Sequence, residues 1–361
     1  MNYGNYPSLI NIKKILIIKL RNLGDALLAS SVITPLKKKF PSALIDLYIY
    51  KESSDIFYQN PFINDIFLYD KKIKSKNFIK KINYEIKILK KIKSKKYDLV
   101  LNLTEGDRGA IASFFSKAPI KVGMNNNKGF LLKKYCYSHL VKAHASKHEV
   151  EKNLDFLRII GIYPKEEDKK LLFYIPPYIK NKIKNLLLEK NIQDYILIHP
   201  TSRWRFKCWP VSYFNILIKK LLTMDKKIIL VSGKENYEIK ITKDILKDIH
   251  SNQLLNLAGN TSLLELGALI DQANLLICLD SFSFHLSNCL KKPCISLFGP
   301  TSEITWGAWE NKNSTILTSS KHKCRPCGID GCGGSKISEC LYSITPDMVL
   351  KEVEKSIKQN D

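Results

Sequence analysis

The sequence predicts an α/β protein built as two doubly wound halves. Three observations carry this. Short, β-branched apolar runs alternate with longer stretches of helical spacing. The alternation runs twice, separated by residues 163–190, which contain Pro164, Pro176 and Pro177 and read as a linker. Every polar loop singled out below follows the carboxyl end of a predicted strand, where open α/β sheets bind ligands. Two such sheets facing one another would form a central cleft. The expected domains are 1–175 and 190–345, the latter with a Cys-rich loop at 321–340, followed by a C-terminal helix at 346–361.

Residues 13–20 (KKILIIKL) form a continuous apolar run, the mark of a strand buried on both faces. Loop 21–25 (RNLGD) follows, then helical spacing over 26–40 that Pro41 ends. Residues 43–50 are the next strand, which completes the seed of a doubly wound sheet. Residues 78–95 read as a basic helix. Residues 97–103 (YDLVLNL) read as a buried strand whose end carries Thr104, Glu105, Gly106, Asp107, Arg108 and Gly109. In the second half, 195–199 (YILIH) is a strand, 200–210 a loop, 211–224 a helix and 227–231 a strand ending at Ser232-Gly233-Lys234-Glu235. Residues 254–257 lead into a helix at 262–272. Residues 275–279 (LLICL) form a strand ending at Asp280-Ser281, a helix opens at 285–290, and 294–298 form a strand ending at Gly299-Pro300-Thr301.

The chain has 361 residues, of which 45% are hydrophobic and 25% charged. That mixture excludes collagen-like, low-complexity and wholly disordered chains. No run of 18 uncharged apolar residues is present, so a transmembrane helix is not expected. The first residues lack a basic start followed by a long apolar run, so the chain is expected to stay in the cytoplasm. Lys and Arg number 58 against 34 Asp and Glu, a formal charge of +24. Such a field attracts polyanions; an AT-rich coding sequence would also enrich Lys, Ile and Asn. No G-x-G-x-x-G follows a strand, and neither a P-loop nor a G-x-S-x-G elbow occurs. Standard dehydrogenases, P-loop NTPases and α/β-hydrolases are thereby disfavoured.

Three loops have the residue types for chemistry. After the first strand, Gly24 lets the chain turn closely and Asp25 opens the helix, either as an N-cap or as a general base. Lys19 and Arg21 nearby would keep that carboxylate ionised. Loop 199–207 (HPTSRWRFK) offers the hydroxyls of Thr201 and Ser202 and the cation of Lys207, a set suited to a diphosphate. Its aromatic neighbours Trp204, Phe206 and Trp209 are expected in the core. Asp280, Ser281 and Ser283 end a strand and open a helix, whose free N–H groups bind phosphate, and His285 would face an anion there.

These segments resemble glycosyltransferase family 9, the ADP-heptose:lipopolysaccharide heptosyltransferases, and most closely the heptosyltransferase III type. The resemblance rests on RNLGDALL at 21–28, NLTEGDRGA at 102–110, HPTSRWRFKCW at 199–209, CLDSFSFH at 278–285 and LFGPT at 297–301. It implies the GT-B fold, two Rossmann-like domains with the sugar nucleotide mainly on the C-terminal one. It also implies an inverting transfer that requires no metal cofactor. By the same resemblance Asp25 is the base. Thr201, Ser202 and Lys207 contact the donor diphosphate, and Asp280, Ser281 and His285 form a second donor loop. Glu235 falls near the nucleoside. Arg21, Glu105 and Arg108 lie on the acceptor side, where Arg108 would meet a lipid A or core phosphate. Phe282 stands where some members have Gly, which alters backbone approach to the phosphate. The implied partners are an ADP-heptose donor and a lipopolysaccharide core acceptor, with peripheral contact to the anionic inner leaflet of the membrane and no nucleic acid. Other acceptors for the same donor, a protein hydroxyl or another glycan, form the alternative. A basic nucleic-acid-binding protein with a metal loop is the alternative of another class.

Four of the nine cysteines crowd together: Cys324, Cys327, Cys332 and Cys340, in a stretch rich in Gly and with Pro326. Four close thiols suggest structural zinc or all-thiolate iron. Reduced thiols or a disulfide pair are the other readings, and His322 is a substitute ligand. The remaining cysteines read as small core residues.

Overall fold

A computed structural model of the chain describes residues 6–125, 129–130, 132–142 and 144–358. The chain divides into two units, Met1–Tyr174 and Ile175–Asp361. The first unit holds strands β1 (Lys14–Lys19), β2 (Leu44–Tyr50), β3 (Asp65–Tyr69), β4 (Leu99–Asn102), β5 (Ile120–Asn125) and β6 (His139–Lys142). Its helices are α1 (Leu23–Ala29), α2 (Ile33–Lys39), α3 (Phe78–Ser94), α4 (Asp107–Phe115) and α5 (Glu149–Arg158). The sheet is parallel throughout, in the order β3-β2-β1-β4-β5-β6. Ile15, Leu16, Ile17 and Ile18 of β1 are all buried, because helices cover both faces of a parallel sheet.

The second unit opens with helix α6 (Pro177–Glu189). Its strands are β7 (Ile196–His199), β8 (Ile228–Leu230), β9 (Leu254–Asn256), β10 (Leu275–Leu279), β11 (Cys294–Phe298) and β12 (Ser314–Thr318). Further helices are α7 (Val211–Thr223), α8 (Asn236–Ile245), α9 (Leu263–Gln272), α10 (Phe282–Cys289), α11 (Glu303–Trp306), α12 (Glu339–Tyr342) and α13 (Pro346–Lys358). The order β12-β11-β10-β7-β8-β9 is again parallel throughout. Counted from each unit's first strand, both sheets have the order 3-2-1-4-5-6, the Rossmann topology. Each therefore has one switch point, between β1 and β4 in the first unit and between β7 and β10 in the second.

Two expectations need correction. The helix expected over 26–40 begins at Leu23 and is split by a 3₁₀ turn at Ser30–Val32. Pro35 explains the break, since its ring clashes with the carbonyl four residues back and it has no N–H to donate. The expected linker is half helix. Pro176 is the N-cap of α6 and Pro177 its first residue, a favoured place for Pro, so these prolines start a helix. Helix α6 packs against α9, helped by Lys180–Asp271 at 2.8 Å and Lys182–Glu265 at 2.6 Å. No helix among the described residues is long and apolar enough to cross a membrane.

Candidate functional site

In the second unit the switch point gathers most of the expected donor residues. Strand β7 delivers Thr201 and Ser202, β10 delivers Asp280, and the turn after β11 delivers Thr301. All but Thr301 are buried. The Asp280 carboxylate accepts from Lys207 Nζ at 2.6 Å and, on the same oxygen, from the Thr301 hydroxyl. That pair holds the lysine in place while its ammonium keeps two further N–H donors. Ser202 reaches the Asp280 carbonyl at 3.5 Å, and the Ser202 carbonyl accepts from Tyr237 Oη at 3.0 Å. Ser281 is the N-cap of α10, yet its side chain makes no cap bond; its hydroxyl lies 2.8 Å from that of Ser283. The first N–H groups of α10 are thus left for another acceptor.

Three expected donor residues have surroundings that the sequence did not foretell. Thr201 is turned to Glu238, donating to its Oε1 at 2.8 Å. Glu238 is buried in the first turn of α8 and was not singled out from sequence. It lies so close to Gly233 that a Cβ there would stand 2.1 Å from Glu238 Oε2. Glu235, the expected nucleoside contact, is exposed and forms the N-cap of α8. His285 is buried in α10, with its ring 5.5 Å from Phe284 and 6.1 Å from Trp306, so it packs inward as part of the loop's support. Of the aromatics expected in the core, Trp209 and Phe206 are buried and Trp204 is exposed. His199, at the end of β7, lies 3.1 Å from the Thr201 carbonyl through Nδ1. Burial pushes its pKa down to about 4, so the ring is neutral at pH 7.

The first unit's switch point carries the expected acceptor residues. Asp25 is the third residue of α1, half-buried, with no hydrogen bond or ion pair among the described residues. It is not the N-cap; Asn22 holds that position. Lys19 does not serve it, because the Lys19 ammonium is buried and spent on the Leu103 carbonyl and Asn153 Oδ1, both at 3.1 Å, and on Glu149 at 3.7 Å. Arg21 faces Glu105 at 3.9 Å, which joins the ends of β1 and β4. Thr104 Oγ1 ties them again by accepting from the Leu20 N–H at 2.8 Å. Beside them lies a cavity of about 420 Å³ lined by Leu20, Tyr50, Thr104, Glu85, Leu89 and Arg108, among others. Arg108 is not a free cation: it pairs with Glu85 at 2.9 Å and its guanidinium lies 4.0 Å from the Tyr69 ring centre.

The Cys-rich loop does not assemble the expected four-thiol centre. Cys324 and Cys327 are exposed, Cys332 is half-buried, and Cys340 is buried on α12. All four are free of disulfides. Burial raises the Cys340 thiol, Arg325 opposes this, and the other three thiols add to it from nearby. The donor chemistry suits a soft ion, but no three His, Cys, Asp or Glu among the described residues converge on one point. Arg325 was also missed from sequence. It donates through Nε to the Gly299 carbonyl at 2.5 Å and pairs with Glu303 at 3.1 Å. The Gly328 N–H donates to the Pro300 carbonyl at 2.9 Å. The loop is therefore strapped across the turn that presents Thr301 to Asp280.

The family model for glycosyltransferase family 9 (heptosyltransferase) matches residues 86–335. The chain belongs to glycosyltransferase family 9. This glycosyltransferase is 32% identical over 291 residues to lipopolysaccharide heptosyltransferase 3 of Escherichia coli, covering 80% of this chain and 84% of the relative. Its fold matches the family 9 glycosyl transferase from Veillonella parvula with a TM-score of 0.82 at 20% identity, over 99% of this chain and all (100%) of the other. It also matches the E. coli ADP-heptose lps heptosyltransferase II with a TM-score of 0.76 at 20% identity, over 96% and 99% of the two chains. The two-domain fold of this glycosyltransferase is thus the GT-B fold expected from the resemblance.

Proposed function

We propose that the enzyme moves heptose from ADP-heptose to a sugar of the lipopolysaccharide inner core, with inversion at the anomeric carbon. The observation that carries this reading is the donor side: Lys207, Asp280 and Thr301 locked together beside the uncapped start of α10, at a switch point. Such a site offers a cation, hydroxyls and helix N–H groups to a diphosphate. The similarity to lipopolysaccharide heptosyltransferase 3 and to an ADP-heptose lps heptosyltransferase II supports the donor and acceptor class.

In the reaction the acceptor hydroxyl oxygen bonds to the anomeric carbon as the bond from that carbon to the diphosphate oxygen breaks. The electron pair leaves with ADP. Asp25, without another partner among the described residues, takes the hydroxyl proton. Charge grows on the leaving diphosphate, and preorganised donors stabilise it most at that moment. The enzyme works in the cytoplasm at the anionic inner face of the membrane that holds the acceptor.

The test is to incubate the purified enzyme with ADP-heptose and a series of truncated lipopolysaccharides, reading product masses. One added heptosyl residue on an inner-core acceptor is expected. Transfer only to a protein hydroxyl or an unrelated glycan would overturn the acceptor assignment.

The reaction needs no metal. For the Cys-rich loop we infer a structural zinc or iron drawn in by Cys324, Cys327, Cys332 and Cys340. Four free thiols within one glycine-rich stretch support it, and the ion would have to draw them to one point. Elemental analysis should find about one such ion per chain. Metal-free protein with every loop thiol titratable would remove the ion from this account.

A further inference from the structure

Helix α3 has more apolar surface than its fold requires. A helix on a sheet needs one apolar stripe. Tyr84, Ile88, Leu89 and Ile92 supply it, packing on the first unit's core. A second stripe, Phe78, Ile79, Ile82 and Ile86, is exposed, with Phe78 at 73%. Positions 78, 82 and 86 are four apart and therefore stack on one side of the helix. Leu89, three residues past Ile86, lines the 420 Å³ cavity at the switch point, so the stripe runs up to that cavity's edge.

Helix α4 continues the apolar surface. Its Ile111 lines the same cavity and also a second one of about 460 Å³, where Phe114, Phe115, Phe130, Leu132 and Tyr135 form nearly all of the wall. These side chains are exposed, Leu132 at 61%. Single exposed hydrophobics need no explanation, but a contiguous set on two neighbouring helices marks an interaction site.

The charge around this surface identifies the occupant. Residues 71–96 contain twelve Lys and a single acid, Glu85, which is taken by Arg108. Lys74, Lys76, Lys80, Lys87, Lys90 and Lys93 are exposed and have no acidic partner among the described residues. Lys117 and Lys134 place their ammonium groups 4.7 Å and 5.1 Å from the ring centres of Phe114 and Tyr135. Aliphatic and aromatic groups bordered by lysines match an anionic bilayer: the apolar groups enter below the headgroups and the lysines meet lipid phosphates. A nucleic acid would have no use for the apolar stripe, and a second copy of the chain would bring lysines against lysines.

We propose that the exposed face of α3, with Phe114 and Phe115 of α4, docks the enzyme on an anionic lipid bilayer and so sets the acceptor cavity at the membrane surface. The inference rests on the reading of the acceptor as a membrane glycolipid. The test is flotation of the full-length enzyme, without donor or acceptor, on vesicles of phosphatidylethanolamine with phosphatidylglycerol. Vesicles of phosphatidylcholine alone are the neutral comparison. Binding to the anionic vesicles only, weakening as salt is raised, is expected. Ile82→Ser with Ile86→Ser, and separately Lys80→Glu with Lys87→Glu and Lys90→Glu, should each lower partitioning about tenfold or more. The lysines of the second set are exposed, so that set remains informative if the serine pair folds poorly. Transfer to a deacylated, water-soluble core acceptor should stay unchanged in both. Equal binding to neutral vesicles, unaltered binding by the folded variants, or a chain that ignores vesicles and self-associates through this face would each overturn the proposal. Flotation without heptosyl transfer would defeat the proposed reaction and leave the docking face standing; transfer without flotation would do the reverse.

Discussion

The two units share a strand order but use their switch points in opposite ways. In the second unit, the buried carboxylate of Asp280 is engaged through Oδ2, holding Lys207 and Thr301 beside an uncapped helix start. In the first, the carboxylate of Asp25 has no partner among the described residues in the first turn of α1, while Lys19, at the end of β1, is turned to Asn153 and the Leu103 carbonyl. An acid that orders a cation serves anion binding; an acid that orders nothing is available for a proton. In the proposed reaction one topology thus supplies both a diphosphate site and a base, and the difference lies in what each carboxylate touches.

Asp25→Asn tests that division most severely. It keeps the shape of the side chain and removes its basicity. Transfer should fall on the order of 100- to 10,000-fold, the usual worth of a positioned base. ADP binding, followed by calorimetry, should change by no more than about a few-fold, since the proposed donor contacts lie on the other unit. Equal loss of binding and turnover would erase the contrast between the two carboxylates.

Lys207→Ala probes the opposite half. It removes the cation proposed to meet the leaving group and also strips Asp280 of its counter-charge. Steady-state kinetics should show kcat/KM for the donor lowered by about 100-fold, with KM raised and kcat reduced together. A change in KM alone would make Lys207 a ground-state contact only.

How much of this was legible in sequence follows from the same physics. The central strands β1, β4, β7, β10 and β11 are apolar on both faces and announce themselves. Edge strands are half-solvated and short, so β6 (HLVK) and β12 (STILT) lack that signal. The loops at the switch points were legible because each follows a central strand. Their internal pairings were not. That Thr201 would turn to Glu238, or Lys19 to Asn153, depends on contacts 37 and 134 residues apart in the chain. Glu238 had one faint mark, its place five residues after Gly233, and only the close approach of the two reveals why a glycine stands there. Arg108 shows the converse: a cation at the right strand end, already balanced by Glu85 from a different helix.

The smallest expected effect concerns the last residue of each unit's first strand. Lys19 ends β1, buried as a cation with Glu149 at 3.7 Å. His199 ends β7 with no acid paired to its ring among the described residues; burial disfavours its charged form and pushes its pKa from 6.5 down to about 4. The folded state therefore binds a proton at His199 less readily than the unfolded chain does. The stability this gives is present in full above the unfolded value of 6.5, and it is lost as pH falls from there towards 4. The loss amounts to ~1–3 kcal/mol across that interval. All four tryptophans, Trp204, Trp209, Trp306 and Trp309, lie in the second unit, so indole fluorescence follows the unfolding of that unit alone. Urea unfolding by tryptophan fluorescence, repeated between pH 7 and about pH 4, should show the midpoint fall more steeply for the native enzyme than for His199→Gln, which has no imidazole to protonate. Parallel slopes for the two proteins would mean that His199 takes up its proton without cost, and that the two strand ends do not differ in the way their burial implies.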